Sequence, residues 1–148
     1  MVGNKRVKAR ILLVEDNAAD IRLIQEVLQE SKIVQSLDVV RDGIEIIEFL
    51  KKRGKYSNVN RPNLILLDLN LPKRNGFQVL EEIKKDEELK RIPVVILTVS
   101  DARDDLIRAY NLHANCYIIK PLEMKQFYKI VNSIVNFWFI TVKHFEDE

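Results

Sequence analysis

Residues 64–68 read Leu64-Ile65-Leu66-Leu67-Asp68, four branched aliphatic residues in succession, stopped by an acid. A run this short with no polar alternation marks a strand covered on both faces, the state of a central strand in a parallel sheet. An earlier run has the same form, Ile11-Leu12-Leu13-Val14 stopping at Glu15-Asp16. Placed side by side and parallel, the two strands bring Glu15, Asp16 and Asp68 to one rim. Like charges gathered there raise one another's pKa unless a cation intervenes. The pattern asks for a metal ion.

Outward from these runs, apolar stretches of strand length alternate with segments of helical period, the pattern of repeated strand-helix-strand units. Strands are predicted over residues 10–14, 37–40, 63–67, 94–97 and 116–119. Asn17 caps the first helix, which carries Ile21, Ile24, Val27 and Leu28 on one face. Asp42 caps the second, whose Ile46, Ile47, Phe49 and Leu50 turn inward while Lys51, Lys52 and Arg53 suit its negative end. Phe77, Leu80 and Ile83 mark the third helix, Leu106, Ile107 and Tyr110 the fourth, and Phe127, Ile130, Val131 and Ile134 the fifth. Residues 54–62 form a polar connection, long for such a fold. Right-handed crossovers leave two common strand orders, of which 2-1-3-4-5 is favoured: an α/β, doubly wound, five-stranded parallel sheet. The first and third strands are then adjacent, and the crevice at their C-terminal ends is the switch point where ligands bind.

The chain has 148 residues, read as one domain over 1–148 with a core of about 8–135 and a C-terminal helical extension of about 136–148. Lys plus Arg number 24 against 22 Asp plus Glu, so no broad field marks nucleic acid or an anionic membrane as partner. The basic runs at 5–10 and 51–55 read as a solvated tail and a helix end. A lone cysteine, Cys116, excludes an internal disulfide and reads as packing. The opening Val2-Gly3-Asn4-Lys5 lacks the apolar core of a signal peptide, and no apolar run approaches the roughly 20 residues that span a bilayer. A cytoplasmic protein is expected.

Magnesium suits the rim, because it prefers oxygen ligands and keeps several waters when one or two carboxylates bind it. Asp16 and Asp68 are expected as direct ligands, Glu15 through water, and the main-chain carbonyl of Asn70 as a further oxygen; manganese fits equally. Two more strands end in groups suited to a phosphoryl, Thr98 with a hydroxyl and Lys120 with an ammonium. Three carboxylates, one lysine and one divalent ion sum to about zero, so an incoming phosphoryl donor meets no net repulsion. Phosphorylating Asp68 replaces one negative charge by roughly two, to be absorbed by Thr98 and Lys120, taken as the groups free to move.

These residues resemble the receiver domains of two-component response regulators. The matching pieces are Val14-Glu15-Asp16-Asn17, then Leu67-Asp68-Leu69-Asn70-Leu71-Pro72 followed by Gly76, then Thr98, then Tyr117-Ile118-Ile119-Lys120-Pro121. The resemblance spans about residues 8–135 and implies a flavodoxin-like receiver fold. It implies that a sensor histidine kinase phosphorylates Asp68, that Glu15 and Asp16 help hold magnesium, and that Thr98 and Lys120 contact the phosphoryl group. It further implies an aromatic switch at Tyr117, a cis bond before Pro121, and output through the surface of the fourth helix, fifth strand and fifth helix. Arg61-Pro62-Asn63, the long connection before it and Phe137-Trp138 resemble, more narrowly, the stand-alone regulators paired with bacterial phytochromes in cyanobacteria. One departure is Val99, where receivers usually place a small residue; its methyls are expected to narrow access to Asp68.

Each residue taken alone has a plainer reading. Glu15-Asp16 suits a helix start, Asp68 a turn, Thr98 a strand-end hydroxyl and Tyr117 the core. His113 and His144 have no partner at ligand spacing and read as surface groups. A phosphohydrolase working through an aspartyl-phosphate needs a second acid two residues after the nucleophile, and Asn70 stands there instead. A nucleotide-binding module needs a glycine-rich loop after the first strand, whereas the chain has four glycines and none there. An adaptor that binds partners without phosphorylation remains a third reading. Beyond Ile134 the period gives way to Phe137-Trp138-Phe139-Ile140, apolar on every side of a helix. That tail is expected either to form a homodimer or kinase-docking surface or to fold back on its own domain.

Overall fold

The computed structural model describes residues 9–141. Five parallel strands run β1 Ala9–Val14, β2 Val34–Val40, β3 Leu64–Leu67, β4 Val94–Thr98 and β5 Cys116–Ile119, in the order β2-β1-β3-β4-β5. The helices are α1 Ala18–Glu30, α2 Glu45–Leu50, α3 Gly76–Lys85, α4 Arg103–Asn111 and α5 Met124–Asn136. The strand order expected from the sequence is the one observed.

Strand alternation divides the core in two. Ile11 and Leu13 of β1, Leu64 and Leu66 of β3, and Val95 and Leu97 of β4 face α1 and α5. Their neighbours Leu12, Val14, Ile65, Leu67, Val94 and Ile96 face α2 and α3, with Ala109 of α4. All four residues of β3 are fully buried, because both faces of a central strand are covered. Each such side chain contributes about 1.5–3 kcal/mol. β2 begins earlier than the predicted residue 37, at Val34, which pairs with Ala9 across a bulge. As an edge strand it mixes Gln35, Ser36 and Asp38 with its apolar residues, and a search for apolar runs misses its start.

Local signals set the helix ends. Asn17 accepts from Asp20 N at 3.0 Å, and Asn75 forms a capping box with Gln78. Asp42 accepts from the N–H groups of Ile44 and Glu45 at 2.9 and 2.7 Å, so it caps α2 across an intervening turn. α4 departs from expectation. It buries only Ala109 and leaves Leu106, Ile107 and Tyr110 exposed, because a small residue at the contact lets the helix lie close with its large apolar side chains outward.

The chain stays helical past Ile134, and the α-helical period gives way after Asn136. A π turn, Phe137–Thr141, continues α5, and Trp138 and Phe139, four residues beyond Ile134 and Val135, fall on the same side. Phe139 is buried and Trp138 half-buried on the α1–α5 side of the core, while Phe137 and Ile140 stay exposed. The tail thus folds back through one face and presents the other. Residues 142–148, including His144, lie outside the described residues. The expected cis bond before Pro121 is not found: among the described residues every peptide bond is trans. Proline makes either isomer accessible at small cost, and this chain takes the extended one.

Gly76 fixes the turn that follows β3. A Cβ there would stand 2.6 Å from the Asp68 carbonyl oxygen and from Leu69 Cα, both backbone atoms. Gly76→Ala is expected to cost about 1–3 kcal/mol, read as a lower urea midpoint with an unchanged slope; a wild-type midpoint would show that the turn yields freely.

Candidate functional site

Register brings the acids together. Val14 pairs with Leu67, so Glu15 and Asp68 leave neighbouring strands at the same height. Glu15 N donates to Val40 O at 3.1 Å, Asp68 N to Val14 O at 3.0 Å and Lys120 N to Thr98 O at 2.6 Å, extending the ladders past the strand ends. Among the described residues, the buried polar or charged side chains are Glu15, Asp68, Thr98 and Lys120. All four lie at this one rim.

Lys120 joins it together. Its Nζ donates to Glu15 Oε2 at 2.6 Å, Asp20 Oδ2 at 2.8 Å and Asp68 Oδ2 at 3.1 Å, which uses all three ammonium protons. Each carboxylate has a further donor or a solvent face. Glu15 Oε1 accepts from Asn17 N at 3.1 Å, and Asp68 Oδ1 from Asn70 N at 3.1 Å. Asp16 and Asn70 are exposed beside the cluster. The loop after β3 is pinned from the β2 side, where Gly43 N donates to Pro72 O at 3.3 Å and Lys73 pairs with Asp42 at 3.4 Å.

Thr98 and Tyr117 meet at a third residue. Ser100 N donates to Thr98 Oγ1 at 3.4 Å, and the Tyr117 hydroxyl donates to Ser100 O at 2.9 Å. Ser100 Oγ in turn donates to Asp105 Oδ2 of α4 at 2.6 Å. Tyr117 is partly buried against the α2–α3 side of the core, so it is both a packed residue and a tethered one. Val99 stands exposed, as does His113. An open groove of about 530 Å³ lined by Lys51, Arg74, Phe77 and Arg108 shares no residue with the rim.

Burial raises the Glu15 carboxyl to about 7, against the opposing hydrogen bond from Lys120, and the nearby charge of Asp68 adds to the rise. Burial alone would lower Lys120, but hydrogen bonds to Asp20 and Glu15 and the charges of Glu15 and Asp68 outweigh it and hold the ammonium above the ordinary lysine range. Burial therefore favours the neutral form of Glu15, whereas the surrounding carboxylates favour the charged form of Lys120. Among the described residues no three acid, histidine or cysteine side chains stand as a ready metal cage. Magnesium and manganese do not require one, because one or two carboxylates, a carbonyl and water suffice. The donors at this rim are oxygens of that kind.

Residues 11–132 match the response regulator receiver domain family. The chain belongs to that family. Response regulator Rcp1 of Synechocystis sp. is 54% identical over 132 residues, covering 89% of this chain and 90% of that protein. The probable methanogenesis regulatory protein FilR2 of Methanothrix harundinacea is 41% identical over 128 residues, covering 86% of this chain and 82% of that protein. Among solved structures, the phosphorylated cyanobacterial phytochrome response regulator RcpA superposes with a TM-score of 0.90 at 51% identity, covering 93% of this chain and 99% of that one. The Mn2+-bound form of Rcp1 does so with a TM-score of 0.89 at 52% identity over the same shares.

Two residues of this receiver's rim escape a reading by sequence. Asp20 reads as an ordinary first-turn acid, although the Asn17 cap three residues earlier already places it over the rim. Ser100 has no sequence signature, because its backbone groups make two of its contacts. A further difference concerns Lys120, expected to be free to move and found tied at three points.

The Glu15 shift has a sign that can be measured. An unfolded glutamate titrates near 4.5 and the folded one near 7, so its contribution to stability is present below about 4.5 and lost as pH rises to about 7. With divalent metal chelated, Glu15→Gln is expected to flatten the fall of Tm over that window, and an unaltered slope would contradict the assignment.

Proposed function

We propose that this receiver is a response regulator that takes a phosphoryl group on Asp68 from a sensor histidine kinase, of phytochrome type, in a magnesium-dependent reaction. The observation that carries the proposal is the three-way hold of Lys120 on Glu15, Asp20 and Asp68 at the C-terminal rim of the sheet. Supporting it are the family membership and the likeness to Rcp1 and RcpA. The proposed setting is the cytoplasm; no described helix is long and apolar enough to cross a membrane.

In the transfer, an Asp68 carboxylate oxygen attacks phosphorus, the bond from phosphorus to the kinase imidazole nitrogen breaks, and its electron pair leaves with the imidazole. Among the described residues, Asp68 Oδ1 accepts from one backbone donor, Asn70 N, and retains a lone pair for attack. Asp16, Asp68 and the Asn70 carbonyl would hold a divalent ion, with Glu15 acting through water, and the bound ion would supply positive charge to the phosphoryl oxygens. Lys120 and the Thr98 hydroxyl take up the added charge. Movement of Thr98 is felt at Ser100, and through it at Tyr117 and α4, biasing the α4-β5-α5 surface between two packings. That surface already presents Leu106, Ile107, Tyr110 and Ile119 to solvent, a face suited to protein partners.

The domain proposed is a single receiver over the whole chain, with no nucleic-acid or membrane contact. Its C-terminal turn offers Phe137 and Ile140, 53% and 64% exposed, as part of a homodimer contact.

Intact mass after incubation with magnesium and acetyl phosphate is expected to show one added phosphoryl group on the wild type and none on Asp68→Ala. Equal addition to both would place the chemistry elsewhere. Paired substitution of Phe137 and Ile140 by Glu is expected to halve the mass seen by light scattering, leaving the buried Phe139 undisturbed. A mass that does not change removes the tail from the contact.

A further inference from the structure

The rim holds one acid to which the phosphoryl transfer described above gives no step of its own. Asp20 sits in the first turn of α1, far from β5 in sequence, yet its Oδ2 lies 2.8 Å from Lys120 Nζ. With Asp20 included, the carboxylates about the site are Glu15, Asp16, Asp20 and Asp68. One ammonium and one divalent ion leave such a set about one charge negative, not neutral. An arriving phosphoryl group therefore meets a residual repulsion, and Lys120 has no unused proton to offer it.

The three acceptors differ in what their release costs. Glu15 is 2% exposed and has no water to replace the ammonium, whereas Asp20 is 24% exposed. Asp68 would itself carry the phosphoryl, so the bond to it passes to the new group. Asp20 is the acceptor that solvent can satisfy most cheaply. It is also the one whose charge opposes the incoming dianion.

We infer that Asp20 is a positioning residue that latches Lys120 in its resting place, so that full engagement of a phosphoryl group on Asp68 requires Lys120 to leave Asp20 and turn further toward that group. The inference rests on Asp68 being the phosphoacceptor. Removing the latch frees one ammonium proton and takes away one negative charge at the same moment, and both changes favour the phosphorylated state. Divalent-metal binding changes in the opposite sense, because it loses a nearby carboxylate.

The test compares the wild type with Asp20→Asn, Asp20→Ala and Asp20→Glu. For Asn and Ala, labelling by acetyl phosphate with magnesium is expected to be about three- to tenfold faster, beryllium fluoride to bind tighter by a similar factor, and magnesium alone to bind more weakly. Asp20→Glu, which restores the charge, is expected to return all three toward the wild type. A merely structural residue would move Tm and weaken all three together, and that result, or unchanged rates, overturns the latch.

A further arm reads Lys120 without any phosphoryl. Modification of Lys120 by acetic anhydride, followed by peptide mass, is expected to be faster in Asp20→Asn than in the wild type. Equal modification overturns the latch. Faster modification with no phosphoryl addition to either protein upholds the latch and sinks the phosphoacceptor reading instead.

Discussion

A lysine ammonium held out of water by three carboxylates is the constraint on which the site depends. Lys120 is 4% exposed and Glu15 2%, and an unpaired charge so placed would lose several kcal/mol of hydration. Neither end of the pair is tolerable without the other. The sheet makes the pairing hard, because β5 lies three strands from β1, about 14 Å at the usual strand spacing. The gap closes from both sides, with a long lysine reaching one way and a glutamate the other, across the ends of β3 and β4.

That reach succeeds only over a rigid floor. The central strands are apolar on both faces, and their packing into two separate cores leaves the strand ends little freedom. The register of β1 with β3 then settles which side chains stand together. The turns hold the rim from outside, with Gly76 against the Asp68 backbone and Asp42 and Gly43 against residues 72–73. The cluster's charge surplus is sustained by this framework, since relaxation that would admit water or separate the acids would break strand ladders.

Beyond the rim, stability is uneven. α4 anchors through Ala109 and is tied to the β4 end by Ser100 and Asp105. An element with so few buried apolar contacts costs little to displace. Ser100 lies between Thr98, Tyr117 and Asp105, so a shift of any one reaches the other two through hydrogen bonds of ordinary length.

The sequence by itself determined the strands that end in acids, their order in the sheet and the residues Glu15, Asp68, Thr98 and Lys120 at the rim. Apolar runs and helical periods are local signals, and the rules of crossover handedness convert them into topology. It misjudged the start of β2 and the outward face of α4, where burial on one side only leaves no continuous apolar run. Only the tertiary structure decided that Lys120 is tethered, that Asp20 shares it, that Ser100 links Thr98 with Tyr117, and that Phe139 folds back while Phe137 does not. These are contacts between side chains or backbone groups from separate elements, and their distances follow from packing in three dimensions, which no spacing along the chain encodes.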